Sequence, residues 1–163
     1  MSDELAGEGR HERHLEKAIA LAHENVRQSG GRPFGAVLTR DGEEIATGVN
    51  TMLATGDPTA HAELEALRAA AGRGALGGRG EYVMYASGHP CPMCLGAMLL
   101  LGVSAVYYAY SNEEGRPFGL STAHVYAELA KPAAERAMRF THLPVRVEGI
   151  DPYEAWVAAQ SAE

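Results

Sequence analysis

Apolar residues first recur at helical spacing. Leu15, Ile19, Ala22 and Val26 share one face, and Ser29-Gly30-Gly31 ends the pattern. Two apolar runs follow, Phe34 to Arg40 and Ile45 to Asn50, flanking Asp41-Gly42. That dipeptide tolerates the positive φ of a tight turn, so the runs are predicted to pair as an antiparallel hairpin. Thr51 to Pro58 reads as a loop, and Asp57 or Thr59 can cap a helix from Ala60 to about Ala71. Residues 72–80 are a glycine-rich connection, and Glu81 to Ser87 is a third strand. Cys91 opens a helix that runs to about Leu101 and stops at Gly102, and Val103 to Tyr110 is a fourth strand. After the loop from Ser111 to Gly119, Leu120 to Ala130 is helical until Lys131-Pro132 breaks it. Pro144 to Gly149 reads as a short fifth strand. Tyr153 to Ala159 is a last helix carrying Trp156.

Strands three and four are joined through a helix, which predicts a parallel pair. A mixed sheet of five strands with helices on both faces covers the apolar stripes, giving an α/β class. Residues 1–13 read as a flexible polar tail, with His11 and His14 at the surface near its edge, and 14–163 as one domain. No internal repeat or long linker interrupts that domain.

Composition narrows the function classes. The chain has 163 residues, 46% of them hydrophobic and 21% charged, enough for a sizeable core. A net charge of −7 and a pI of about 5.5 argue against a polynucleotide substrate, which needs a basic face. No apolar stretch reaches membrane-span length, and the polar start lacks the apolar core of a secretory signal. The expected compartment is the cytoplasm, where reduced thiols are available as metal ligands.

Two motifs carry the chemistry: His61-Ala62-Glu63 and Pro90-Cys91-Pro92-Met93-Cys94. Each alone is weak. A His-x-Glu pair at a helix start is commonly solvated surface, and a lone Cys-x-x-Cys is a redox pair or half of a structural zinc site. The chain has only two Cys, so a four-cysteine site within one chain is excluded. Together the motifs supply three zinc ligands, His61, Cys91 and Cys94, and an open position for water. Zn²⁺ acidifies that water, and Glu63 is placed to move its proton, which is the inventory of hydrolytic nucleobase deamination. Cys91 and Cys94 also sit at a predicted helix start, where the dipole favours thiolates.

These residues carry a resemblance. Asp57-Pro58-Thr59-Ala60-His61-Ala62-Glu63 and Pro90-Cys91-Pro92-Met93-Cys94-Leu95-Gly96-Ala97-Met98 resemble the cytidine deaminase superfamily. Lys131-Pro132-Ala133-Ala134-Glu135-Arg136 and the Ala155-Trp156 pair are similar to its guanine deaminase branch. The resemblance implies a three-layer α/β/α fold, one Zn²⁺ per chain, and a homodimer that exchanges C-terminal segments. It implies base contacts from Asn50, Phe34 and Ala62, and a second acidic proton shuttle at Glu114. His89 stands where the branch has Glu, and Ser121-Thr122 where it has two Asp. His89 is therefore a candidate pocket residue, as a hydrogen-bonding group or, alternatively, a packing residue.

The expected substrate is a free nucleobase, guanine or a close purine analogue. The alternatives are cytosine, an aminotriazine, a modified purine or, with less support, an adenosine in tRNA. A metal-stabilised binding module without turnover has no use for Glu63.

Overall fold

The Asp41-Gly42 turn is left-handed at both residues, φ 53° and 84°, as a two-residue hairpin requires. It joins β1 (Gly35–Arg40) to β2 (Glu43–Val49), paired antiparallel from Arg40↔Glu43 to Gly35↔Val49. The far edge of β1 takes β3 (Tyr82–Gly88), also antiparallel, and β4 (Val103–Tyr110) lies parallel to β3. The sheet order is β2-β1-β3-β4. Both the hairpin and the parallel pair follow the sequence expectation.

The computed structural model describes residues 2–149 and 151–161, with side chains described from Gly9 onward. Residues 1–130 form one compact unit and 131–163 a second. The helices of the first unit are α1 (Ser2–Ser29), α2 (Met52–Thr55), α3 (Ala62–Gly72), α4 (Pro92–Leu100), α5 (Asn112–Gly115) and α6 (Ala123–Ala130).

Alternation in β1 feeds two separate apolar cores. Ala36 and Leu38 point into one, with Ala62, Ala66 and Ala70 of α3 and Cys94 and Met98 of α4. Val37 points into the other, with Ala18 of α1, Val83 and Tyr85. Two glycines set the layer spacing. A Cβ on Gly35 would strike the Ala18 carbonyl of α1, and one on Gly48 would strike the Ala62 carbonyl of α3. The helix backbones therefore lie directly on the sheet, on opposite faces. β3 is buried at every position, as a central strand between two helical layers must be.

α1 begins at Ser2, within the segment that reads as a tail. His11 and His14 hold this part of the helix to the sheet. His11 Nδ1 lies 2.7 Å from the Tyr85 hydroxyl and its ring stacks on Tyr107 at 4.2 Å, while the His14 ring lies 4.8 Å from Tyr85.

The second unit holds a 3-10 turn at Ala133–Glu135 and α7 (Pro152–Gln160), capped by Asp151, whose side chain accepts from the Tyr153 N–H at 2.9 Å. The fifth strand expected over 144–149 is not formed. A strand exists through a neighbour that takes its ladder bonds, and the described residues offer none here. Leu143, Val145 and Val147 are all largely exposed, and Pro144 has no N–H to donate. The described sheet has four strands. Among the described residues no helix is long and apolar enough to cross a membrane.

Candidate active site

Both zinc motifs lie at helix starts, but their caps differ from expectation. His61 itself is the N-cap of α3, and Cys91 is the N-cap of α4 with Pro92 in the first turn. Proline is tolerated there because the first-turn N–H groups have no intrahelical acceptor. Asp57 instead closes the preceding loop, accepting from the Thr59 N–H and hydroxyl at 2.7 Å each, and those bonds hold its carboxyl below the usual range.

The two helix starts bring three ligand atoms together. Cys91 Sγ lies 3.5 Å from His61 Nδ1, Cys94 Sγ lies 3.6 Å from the same nitrogen, and the two sulfurs are 3.5 Å apart. Zn–S bonds of about 2.3 Å and a Zn–N bond of about 2.0 Å at tetrahedral angles would separate S from N by about 3.5 Å and S from S by about 3.8 Å. The triangle therefore fits Zn²⁺ within a few tenths of an ångström. Cys94 is fully buried and Cys91 is 9% exposed, so the metal side of the site is closed by protein.

Charge is already placed for a cation. A hydrogen bond from the Cys94 thiol, with others from His61 and the Cys94 backbone, pulls Cys91 down to about 4 against its partial burial. That same bond, with burial and Glu63, pushes Cys94 up, so the two thiols titrate as a pair. The bond to Cys91 raises His61 despite burial. Glu63 is 7% exposed, and burial pushes its carboxyl up. Its Oε2 lies 3.5 Å from Cys94 Sγ.

One small cavity of about 50 Å³ adjoins this cluster. Its lining joins Phe34, Asn50, His61, Glu63, His89 and Cys91, all singled out from the sequence, with Arg32, Leu120 and Thr122. Asn50 is 2% exposed, and its Oδ1 accepts from the Met52 N–H at 3.3 Å, which leaves Nδ2 to donate. His89 stands edge-on to Tyr108 and Tyr126, with Nδ1 3.0 Å from the Pro90 carbonyl. The carbonyl accepts from Nδ1–H, so in the neutral ring Nε2 is the acceptor. The Tyr126 hydroxyl donates to the same carbonyl at 2.6 Å and fixes the residue before Cys91.

Two expected site residues stand apart from this lining. Ala62 is 1% exposed and its methyl group packs in the core; as the first residue of α3 it offers its N–H rather than its side chain. Glu114 lines a neighbouring cavity of about 230 Å³ with Ile19, Ser111 and Phe118. Its carboxylate closes a capping box on α5, accepting from the Ser111 N–H at 2.8 Å while Ser111 Oγ accepts from the Glu114 N–H at 3.2 Å. Phe34 and Leu120 line both cavities and stand between them.

Sequence reasoning missed Asn25, and its signal is faint. It is an amide in the last turn of α1 on the apolar side, 8% exposed. Its Nδ2 donates to the Arg32 and Asn50 carbonyls, at 2.9 Å each, tying the loop before β1 to the end of β2. Arg32 was missed as well, because an exposed arginine in a Gly-Gly-Arg-Pro turn carries no sign of which pocket it borders.

A three-ligand zinc cradle at two helix starts, with a buried carboxyl beside it on an α/β/α scaffold, defines a zinc-dependent deaminase domain. Residues 8–110 match the cytidine and deoxycytidylate deaminase zinc-binding region, and the chain belongs to that family. It is 39% identical over 146 residues to guanine deaminase of Bacillus subtilis (strain 168), covering 90% of this chain and 93% of that protein. The crystal structure of guanine deaminase from Bacillus subtilis superimposes with a TM-score of 0.76, covering 91% of this chain and 94% of the other. A tRNA-specific adenosine deaminase of Agrobacterium fabrum (strain C58) is 31% identical over 151 residues, 89% of this chain and 87% of its own.

Proposed function

We propose that this protein hydrolyses the exocyclic amino group of free guanine, releasing ammonia. The observation that carries the chemistry is the buried Glu63 carboxyl beside the His61-Cys91-Cys94 triangle, in the same cavity as Asn50. Support for guanine comes from the similarity to guanine deaminase over nine-tenths of the chain.

When bound, zinc lowers the pKa of a water and so supplies a nucleophile at neutral pH. Glu63 takes one water proton at a carboxylate oxygen and passes it to a ring nitrogen, then takes the second proton from the new C–OH group and passes it to the amine, which leaves as ammonia as the carbonyl forms. Its raised pKa suits this, because a carboxyl that holds a proton nearer neutrality both accepts and donates readily. Asn50 Nδ2 donates to an acceptor on the base edge, His89 Nε2 accepts from a ring N–H, and Phe34 packs on the ring face. The Ala62 N–H at the start of α3 offers a further donor to the base. Glu114 serves as second shuttle only if it leaves its capping box.

A second reading is deamination of another free amino-heterocycle, favoured by His89 and Thr122 in the lining. The acidic net charge of −7 weighs against a tRNA substrate. An ammonia-release screen across amino-purines, amino-pyrimidines and triazines separates these. Guanine as the preferred base supports the proposal. Cytidine preferred over every free base overturns it, and an inert guanine beside another active base transfers the function to that base. The reading includes a cytoplasmic homodimer, supported by the largely exposed Leu99 and Leu100 at the end of α4 and Tyr153 and Trp156 on α7.

A further inference from the structure

Among the residues lining the zinc-side cavity, Arg32 offers something the others lack. Asn50 has one amide nitrogen left to donate, since its oxygen already accepts from Met52. His89 presents an acceptor at Nε2, with Nδ1 held at the Pro90 carbonyl. The Thr122 hydroxyl donates to Asn112 Oδ1 at 3.4 Å and so turns acceptor lone pairs elsewhere. Glu63 is committed to the proton. Only Arg32 carries several N–H donors in a rigid planar fork.

The structure leaves that fork free and holds its base still. Among the described residues no hydrogen bond or ion pair engages the Arg32 guanidinium. Its backbone is pinned on both sides of the carbonyl, which accepts from Asn25 Nδ2 at 2.9 Å and from the Phe34 N–H at 2.8 Å. Pro33 further limits Arg32 to extended backbone. The same Asn25 side chain holds the Asn50 carbonyl, so Arg32 and Asn50 approach the cavity as neighbours.

Guanine has a matching edge. With its C2 amino group at the zinc ligands, O6 and N7 point away from them, toward the rim. These two adjacent acceptors are the pair that an arginine fork reads bidentately. A 6-amino purine puts a donor where O6 stands and meets the fork with like polarity. We infer that Arg32 is the specificity-determining residue that reads the O6/N7 edge of the base. This rests on the guanine reading above and deepens it.

The test compares guanine with 2-aminopurine, which keeps the C2 amino group and N7 but has no O6. Steady-state kinetics are measured on the zinc-loaded wild type and on Arg32→Gln and Arg32→Lys, with zinc content and melting temperature as controls. Arg32→Gln is expected to lower the guanine to 2-aminopurine ratio of kcat/KM by about tenfold or more, mainly through the KM for guanine. Arg32→Lys is expected to lose most of the same preference, because a point charge lacks the fork. A ratio unchanged in Arg32→Gln, or fully kept by Arg32→Lys, overturns the inference while guanine deamination stands. A wild type inert on guanine overturns the proposed function and this inference together.

Discussion

At the scale of single residues, Glu63 joins the proton chemistry to the burial that tunes it. Glu63→Gln keeps the side-chain shape and removes the ionisable oxygen. Zinc content should stay at one per chain while kcat falls roughly 10²–10⁴-fold, the span of a positioned acid and base. Near-normal turnover would move the shuttle elsewhere. Glu114 permits a sharper contrast. Glutamine also closes a capping box, so Glu114→Gln should preserve α5 and leave kcat within about tenfold. A larger fall in kcat at unchanged KM would show that this carboxylate leaves Ser111 during turnover. The triad itself predicts metal content: Cys91→Ala with Cys94→Ala removes two of three ligands, and elemental analysis of that variant should find no zinc. In the wild type, acid should release zinc as the thiolates and His61 take up protons, which metal analysis after dialysis across falling pH would follow.

At the scale of elements, the close seating of two helices on the sheet decides where the ligands stand. Gly48→Val drives a side chain into the Ala62 and Ala66 backbone, one residue from His61. Overpacking of this kind costs typically about 1–3 kcal/mol, and here it also displaces a metal ligand and Glu63. Melting temperature and zinc affinity should fall together, and a variant that loses stability but keeps full zinc affinity would separate them. The Asn25 amide links α1, the loop before β1 and the end of β2. Asn25→Ala removes a donor from the Asn50 carbonyl and from the Arg32 carbonyl, which keeps only the Phe34 N–H, at a cost of about 1–3 kcal/mol. KM should rise more than zinc binding changes, because Asn25 positions Arg32 and Asn50 and lies apart from the metal.

At the scale of the whole molecule, exposed leucines and aromatics point to a covered surface in solution. Light scattering at micromolar concentration should report about twice the 17.3 kDa chain mass. A monomer mass would count against the homodimer and leave the single-chain zinc site untouched, since all three ligands come from one chain.

What the sequence determined by itself is what short segments encode. Asp41-Gly42 forces a hairpin, because few residues accept left-handed backbone. A helix between two apolar runs forces a parallel pair. His61-x-Glu63 and Cys91-x-x-Cys94 carry their chemistry in ligand type and spacing, so the zinc set was legible before any coordinates. Ser111-x-x-Glu114 has the spacing of a capping box and forms one, within a segment that reads as a loop. The tertiary structure decided matters of distance between remote segments. It made Asn25 the tie between Arg32 and Asn50, left the Arg32 fork at the cavity edge, and put Glu114 in the neighbouring cavity. It also left residues 144–149 unpaired. No local pattern contains these outcomes, because each depends on which surfaces meet once the layers close, and a strand or a binding residue is defined by its partner.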